Sequence, residues 1–124
     1  MQISVLSFGF KYGIPIDADL IMDVRFLQNP FFVPELRDLD GETDEVRRFF
    51  GRRSRGIYLG KCSIINFLIP RYFEEGKAYL TIAVGCTGGR HRSVSIARAL
   101  YERIKEMGHP ANLTHRDIQQ QGSP

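Results

Sequence analysis

The sequence predicts an α/β fold with a small, mostly parallel sheet and flanking helices. Three observations support this class: a β-rich run at residues 2–8, a near-continuous apolar run at 78–86, and an amphipathic stripe at 93–107. A continuous apolar run is typical of a strand buried on both faces. Such a strand followed by a loop and an amphipathic helix is the unit from which parallel sheets are built.

The first third of the chain alternates strands with irregular segments. Residues 2–8, QISVLSF, are bounded by glycine and predict a strand. GFKYGIP, residues 9–15, contains two glycines and a proline and predicts a loop. LIMDVRF, residues 20–26, is a second strand candidate, and residues 28–41 form an irregular excursion with two prolines and a closing Asp-Gly.

Two helices are expected next. Thr43 is a suitable cap for a short helix over residues 44–50, and an apolar-periodic stretch predicts a separate helix over 57–75. Pro70 should kink the second helix or end its regular part, and Gly76 should close it. After the strand at 78–86 and the helix at 93–107, residues 112–116 are a candidate last strand. We therefore expect one domain at residues 1–118 and a frayed tail at 119–124.

Composition limits the function classes. No apolar run approaches the roughly 18 residues that a membrane span needs, and no secretory signal is recognisable at the start, so we expect a cytoplasmic protein. Cys62 and Cys86 lack CxxC spacing and no histidine stands at zinc-ligand spacing, so we expect free thiols, no metal and no cofactor. Thirteen arginines against four lysines favour phosphate contacts.

The sharpest motif is GCTGGRHRS, residues 85–93, which makes residues 78–107 a strand–phosphate loop–helix unit. Gly88 and Gly89 allow a tight turn with backbone N–H groups close to a ligand, and a helix starting near Arg92 presents further N–H groups. Arginine can hold phosphate oxygens with two nitrogens. The predicted anion site comprises Cys86, Thr87, Gly88, Gly89, His91, Arg92 and Ser93.

The same loop also admits a catalytic interpretation. Cys86 and Arg92 stand at C-x5-R spacing, followed by Ser93, as in cysteine-dependent phosphatases, where a thiolate attacks the bound phosphate. Such an enzyme needs a general acid, for which Asp17, Asp19, Asp23 and Asp40 are candidates. The alternative for Cys86 is a small buried residue that ends a strand.

Long strings of the sequence resemble the C-terminal domain of the RapZ family of bacterial RNase adapters and nucleotide-binding proteins. They are LSFGFKYGIPIDADLIMDVRFLQNP, YLTIAVGCTGGRHRSV and the late THRD, in this order along nearly the whole chain. The resemblance implies a non-catalytic domain similar to a phosphofructokinase subdomain. It implies binding of glucosamine-6-phosphate, small regulatory RNAs and an endoribonuclease, and a homodimer. Full-length members also carry an N-terminal ATP/GTP-binding domain, whose motif is absent from this chain.

The resemblance also implies further site residues. The DVRFLxNP string would bring Asp23, Arg25 and Asn29 to the phosphate loop, although Asp23 and Arg25 could instead form an internal ion pair. Lys11 and Tyr12 in the glycine-bounded loop are further candidates. The alternative is that they lie at a solvated loop tip. His115 and Arg116 in the THRD string are candidates as well. The alternative is that they form the polar end of a strand.

Two departures from the family pattern concern sugar and RNA binding. Phe31 stands where adapter members often carry a histidine, and no basic residue follows Arg116, where those members have a basic tail. A second basic patch, interleaved with Phe49 and Phe50, offers an alternative RNA surface or a charged helix end whose phenylalanines enter the core. Its arginines are Arg47, Arg48, Arg52, Arg53 and Arg55.

Three hypotheses follow from the sequence. The first is a regulatory module that binds a phosphorylated amino sugar without a chemical step and couples its occupancy to an RNA or ribonuclease partner. The second makes RNA binding the main task, with a salt-dependent affinity. The third is a phosphatase that uses Cys86 and Arg92.

Overall fold

The computed structural model describes the backbone of residues 1–120 and the side chains of that range apart from residues 51–62. Four strands and two α-helices lie in this part of the chain, together with 3-10 turns at Phe10–Tyr12 and Pro30–Phe32. The strands are β1 (Gln2–Gly9), β2 (Leu20–Asp23), β3 (Tyr79–Cys86) and β4 (Ala111–His115), and the helices are α1 (Asp44–Glu74) and α2 (Arg92–Glu106). The predicted α/β class is confirmed.

The four strands form one sheet in the order β2-β3-β1-β4, and every strand pair in it is parallel. β1 and β3 pair along their whole length, from Gln2 opposite Tyr79 to Gly9 opposite Cys86. Their carboxyl ends therefore lie side by side at the same end of the sheet.

The connections use both faces of the sheet. The step from β2 to β3 through α1 and the step from β3 to β4 through α2 run in the same direction across the sheet, so right-handed crossovers place both helices on one face. The step from β1 to β2 runs the other way and crosses the opposite face. The Phe10 ring at that face lies where a side chain on Gly85 would fall.

The core lies between the helices and one face of the sheet. On that face the strands contribute the fully buried Val5, Leu80 and Ile82, whose alternation with residues of the other face follows the period of two. Ile65 of α1 and Leu100 of α2 pack in the same cluster. Apolar contacts on this face hold the helices in position. They thereby also position the loops at the carboxyl ends of the strands.

Helix α1 differs from the prediction. The expectation of two helices, at 44–50 and 57–75, is wrong, because one helix runs from Asp44 to Glu74. The intervening glycines weaken a helix but keep their backbone N–H groups, so hydrogen bonding continues. The helix also continues past Pro70 for a further turn. Thr43 caps it as predicted, its Oγ1 accepting the N–H of Val46 at 3.4 Å.

The other boundaries agree with the sequence to within a few residues. β2 ends at Asp23 rather than near 26, because the N–H of Arg25 donates to Asp23 Oδ1 and the chain turns away from the sheet. Gly76 and Gly108 follow the two helices with φ of 84° and 88°, the left-handed conformation that ends helices. No helix in the described part of the chain is both long and apolar enough to cross a membrane.

Candidate functional site

The candidate site lies where the carboxyl ends of β1 and β3 meet. Gly9 and Cys86 are opposite each other there, and the chain leaves these neighbouring strands toward opposite faces of the sheet. In open α/β sheets the crevice at such a point, outside the carboxyl ends of the strands, is the usual ligand site. The loop that the sequence singled out, residues 86–93, borders this crevice.

Close backbone contacts fix the path of the loop. Gly89 has φ 80°, and a Cβ built on it would lie 2.7 Å from the Gly9 nitrogen and 2.9 Å from Asp117 Cβ. A Cβ on Gly9 would lie 2.6 Å from the carbonyl carbon of Gly88. Both positions therefore exclude a side chain, and the loop rests directly on the end of β1.

Cys86 points its sulfur into the loop. The backbone N–H of Gly89 donates to Cys86 Sγ at 3.2 Å, and the thiol donates to Ser93 Oγ at 3.1 Å. Both Cys86 and Ser93 are buried. The sulfur therefore closes the loop across its base, joining the end of β3 to the first turn of α2.

Arg92 is buried yet only partly engaged. Its Nη1 donates to the carbonyl oxygens of Arg25 and Leu27, and its Nη2 lies 3.3 Å from Thr87 Oγ1. Its Nε has no hydrogen-bond partner among the described residues. Burial lowers the pKa of Arg92, an effect opposed by the neighbouring Cys86 sulfur. The guanidinium is thus anchored mainly at Nη1, while its Nε has unused hydrogen-bonding capacity among the described residues.

His91 is the second buried group with an unused nitrogen. Only 6% of its surface is exposed, and its Nε2 lacks a partner in the described part of the chain. Burial lowers the pKa of His91, opposed most by the backbone carbonyl of Leu39, and Arg90 lowers it further. Buried polar atoms are almost always hydrogen-bonded, so His91 Nε2 and Arg92 Nε are two separate positions with hydrogen-bonding capacity that the described residues do not use.

The start of α2 adds a favourable electrostatic setting. No side chain caps this helix, and its first turn contains no acidic residue. The free N–H groups of a helix N-terminus carry a partial positive charge that favours an anion. The local residues, the helix end and the buried nitrogens therefore all suit a negatively charged ligand.

The residues after β2 have structural partners of their own. Arg25 grips the Asp23 carboxylate with two nitrogens, the shorter contact being 2.7 Å, and its guanidinium stacks 4.0 Å from the centre of the Phe10 ring. The hydrogen bond to Asp23 raises the pKa of Arg25. Asn29 Oδ1 accepts the N–H of Phe31 and caps a 3-10 turn. The internal ion pair that the sequence allowed is therefore present.

Lys11 and Tyr12 lie in the turn after β1. The backbone N–H of Lys11 donates to the carbonyl of Thr87 at 3.1 Å, which ties this turn to the phosphate loop. The Lys11 side chain is exposed and its Nζ lies 5.7 Å from the centre of the Tyr12 ring. The structure thus brings the backbone of this turn to the loop.

The THRD string contributes through residues that sequence reasoning did not select. Asp117, 3% exposed, accepts the N–H of Gly9 at 2.8 Å and pairs with Arg116, whose Nη2 also donates to the carbonyl of Gly13. His115 contacts Ser7 and Glu42 instead of the loop. Asp117 was recognisable as the fourth residue of the string, whereas Ser7 and Glu42 carry no signal in the sequence.

The second basic patch is only partly described. Arg47 lies 3.6 Å from Glu102, Arg48 is exposed, and Phe50 is buried in the core with Phe49 packed against it. Phe50 is therefore not available for stacking on bases, whereas Phe49 is half-buried. Arg52, Arg53 and Arg55, like Cys62, lie outside the described side chains. Among the side chains that are described, no group of His, Cys, Asp and Glu could hold a metal ion.

The fold and the site together define a small α/β domain with a candidate anion-binding loop at a strand-to-helix junction. The chain belongs to the RapZ C-terminal domain family, whose model matches residues 1–119. It is 53% identical over 118 residues to a nucleotide-binding protein of Clostridium novyi, covering 94% of this chain and 40% of that protein.

Two further relatives carry the same description. A nucleotide-binding protein of Desulforapulum autotrophicum is 56% identical over 123 residues, covering 95% of this chain and 41% of the relative. One from Caldicellulosiruptor saccharolyticus is 54% identical over 121 residues, covering 96% and 41%. The chain thus spans about two-fifths of the length of these relatives.

Proposed function

We propose that this chain is a non-catalytic regulatory domain that binds a phosphorylated amino sugar of the glucosamine-6-phosphate kind. The buried nitrogens Arg92 Nε and His91 Nε2, which have no partner in the described structure, carry this proposal. A phosphate group would supply an acceptor for Arg92 Nε, with His91 as a second candidate donor, and its charge suits the start of α2. Thr87 and the N–H groups around Gly88 would complete the cradle.

The sugar would extend toward the end of β2. Arg92 Nη1 binds the carbonyls on either side of Phe26, so the segment that follows Asp23 borders the anion loop. The Asp23 carboxylate could accept from the ammonium group of an amino sugar beside its contact with Arg25. Phe31 cannot donate a hydrogen bond, so a sugar hydroxyl would have to be recognised by another group than the histidine found in adapter members.

In this proposal occupancy of the loop would alter binding of an RNA or a ribonuclease partner, and the domain would act as a homodimer. The family membership supports a regulatory role of this kind. Arg48 is the exposed member of the second basic patch among the described side chains. It is the first position at which we would test an RNA contact.

The test is calorimetric titration of glucosamine-6-phosphate into the wild type and Arg92→Lys. We expect binding in the wild type, weakened at least about tenfold in Arg92→Lys. The single ammonium group of lysine cannot donate to the carbonyls of Arg25 and Leu27 and also present further N–H groups to a phosphate. Arg103→Lys, on the same helix, is the matched control and should bind as the wild type does. Glucosamine should give no heat.

Two outcomes would contradict the proposal in different ways. Binding of inorganic phosphate but not of glucosamine-6-phosphate would retain the anion site and remove the sugar. No binding of either by a folded wild-type chain would remove the anion site itself.

A phosphatase is the second candidate, favoured by the contacts of Cys86 Sγ with Gly89 and Ser93. A thiolate there could attack a phosphoester, and the alcohol would leave with a proton from a general acid. Three of the four candidate acids have other partners: Asp19 pairs with Lys77, Asp23 with Arg25, and Asp40 accepts the N–H of Glu42. Turnover of p-nitrophenyl phosphate that disappears in Cys86→Ser would establish the enzyme in place of the binding domain.

A further inference from the structure

A chain of hydrogen bonds centred on His115 links three parts of the fold. Ser7 Oγ on β1 lies 2.7 Å from His115 Nδ1, and His115 Nε2 lies 2.7 Å from Glu42 Oε2, just before α1. The order serine, histidine, carboxylate is that of a hydrolase triad, but Ser7 has no exposed surface. It cannot reach a substrate, so the chain needs another explanation.

The segment held by His115 wraps the first turn of α2. Gly41, next to Glu42, donates its N–H to the carbonyl of Arg90 at 2.7 Å and accepts from Ser95 Oγ at 2.7 Å. A Cβ on Gly41 would overlap the His91 carbonyl oxygen and lie 2.7 Å from Val94 Cβ. The residue next to Glu42 is therefore in direct contact with the residues that flank His91.

We propose that His115 is a positioning residue for the anion loop, acting through Glu42 and Gly41, and that anion affinity changes with its protonation. This inference rests on the proposed function, because it needs an anion bound at residues 86–93. The Ser7 contact suits both forms of the ring: the hydroxyl donates to a neutral Nδ1 and accepts from a protonated one. The contact with Glu42 becomes an ion pair only when His115 is charged.

The surrounding charges determine the direction of the effect. Arg98 on α2 lies 3.9 Å from Glu42 Oε2 and is itself paired with Glu102 at 2.9 Å, and Arg47 on α1 also contacts Glu102. On β4 the next residues are the paired Arg116 and Asp117. When His115 is neutral, Arg98 is the charged partner of Glu42. When His115 is protonated, its ion pair with Glu42 holds this side chain close to β4. We expect the tighter segment, and hence the higher anion affinity, in the protonated form.

Reciprocal linkage provides the experiment. If protonation of His115 favours anion binding, a bound anion must favour protonation to the same extent. The probe is sulfate, which does not titrate in this range, and the readout is the NMR titration of each histidine ring with and without it. We expect saturating sulfate to raise the His115 midpoint by about 0.5 unit or more, equivalent to roughly a threefold change in sulfate affinity. His109, beyond the other end of α2, should not change.

Two variants separate positioning from the direct field of a bound anion. Glu42→Gln should abolish the sulfate-induced change at His115 while sulfate still binds, whereas a field effect would persist. Ser95→Ala, which frees Gly41 from α2, should reduce it without touching His115. Glu102→Gln, which removes a charge from the same network without a His115 contact, is the control and should retain most of it.

Three results would overturn the inference. An unchanged His115 midpoint in a wild type that binds sulfate would remove this role and leave the proposed function intact. A change that persists in Glu42→Gln would assign it to the field alone. Failure of the folded wild type to bind sulfate or phosphate would remove both the inference and the anion site.

Discussion

Arg92 and His91 show how adjacent residues can be buried for different purposes. Arg92 ties the anion loop to the segment after β2 through the carbonyls of Arg25 and Leu27. His91 has no such bond at Nε2 and is buried against the segment before α1. The arginine thus joins two segments of the fold, whereas the histidine carries a desolvation cost that favours its neutral form.

The pH dependence of stability follows at the residue scale from His91. Its pKa is lowered in the folded state, so between pH 7 and about pH 5 the unfolded chain takes up more protons than the folded chain does. The stability contributed by neutral His91 is therefore complete above the ordinary histidine value of 6.5 and is lost as the pH falls below it. Urea unfolding at both pH values should show a smaller loss in His91→Gln than in the wild type.

The control for this measurement is His109→Gln, which replaces a histidine whose side chain lies at the end of α2 away from the loop. It should lose stability on acidification as the wild type does. An equal loss in His91→Gln and the wild type would contradict the assignment of this effect to His91.

At the scale of elements, the anion loop depends on backbone contacts that only glycine permits. Gly89 combines a left-handed φ with contacts from Gly9 and Asp117, whereas Gly108, at the end of α2, has a similar φ and nothing within 4 Å of a built Cβ. Comparing substitutions at these two glycines therefore separates the free-energy cost of the left-handed backbone conformation from the cost of steric overlap.

Alanine at these two glycines should have unequal effects on the free energy of unfolding. Gly108→Ala should cost about 1 kcal/mol, the penalty of the left-handed conformation. Gly89→Ala should cost more than about 2 kcal/mol because overlap adds to that penalty, and it should also weaken phosphate binding. Equal costs in urea unfolding would show that the loop can move away from β1.

At the scale of the whole molecule, the helices stabilise only one face of the sheet. Ile82 on β3 faces them and is fully buried, whereas Tyr79 on the same strand faces the other way and is 74% exposed. The opposite face is crossed by the irregular connection from β1 to β2. The candidate anion site lies where these two arrangements meet, at the carboxyl ends of β1 and β3.

Truncating each of these two side chains tests this division of the sheet. Ile82→Ala should cost about 2–5 kcal/mol, since it leaves a cavity in the core. Tyr79→Ala should change the free energy of unfolding by no more than about 0.5 kcal/mol. A large cost at Tyr79 would mean that its face is packed in the folded protein, as it would be in a homodimer that uses this face.

Sequence and structure agree most closely where one pattern dominates locally. The apolar run at 78–86 and the stripe at 93–107 correctly predicted β3 and α2. A strand buried on both faces has a continuous apolar sequence, and a helix buried on one side has apolar residues at helical spacing. The joining of two predicted helices into α1 could not be read, because glycine lowers helix propensity whether or not the helix continues. Similarly, the ion pair between Asp23 and Arg25 was one of two compatible interpretations of the sequence, and only the structure showed that it forms.

By itself the sequence determined the α/β class, the strand–loop–helix unit and the resemblance to the RapZ family, because each depends on contiguous residues, and it predicted the anion loop at 86–93. Only the tertiary structure decided that Ser7, Glu42 and His115 meet, that Asp117 holds Gly9, and that Arg92 is anchored with its Nε unused by the described residues. Those contacts join residues up to 108 positions apart in the chain. They depend on strand order and crossover direction, which no local pattern of side chains records.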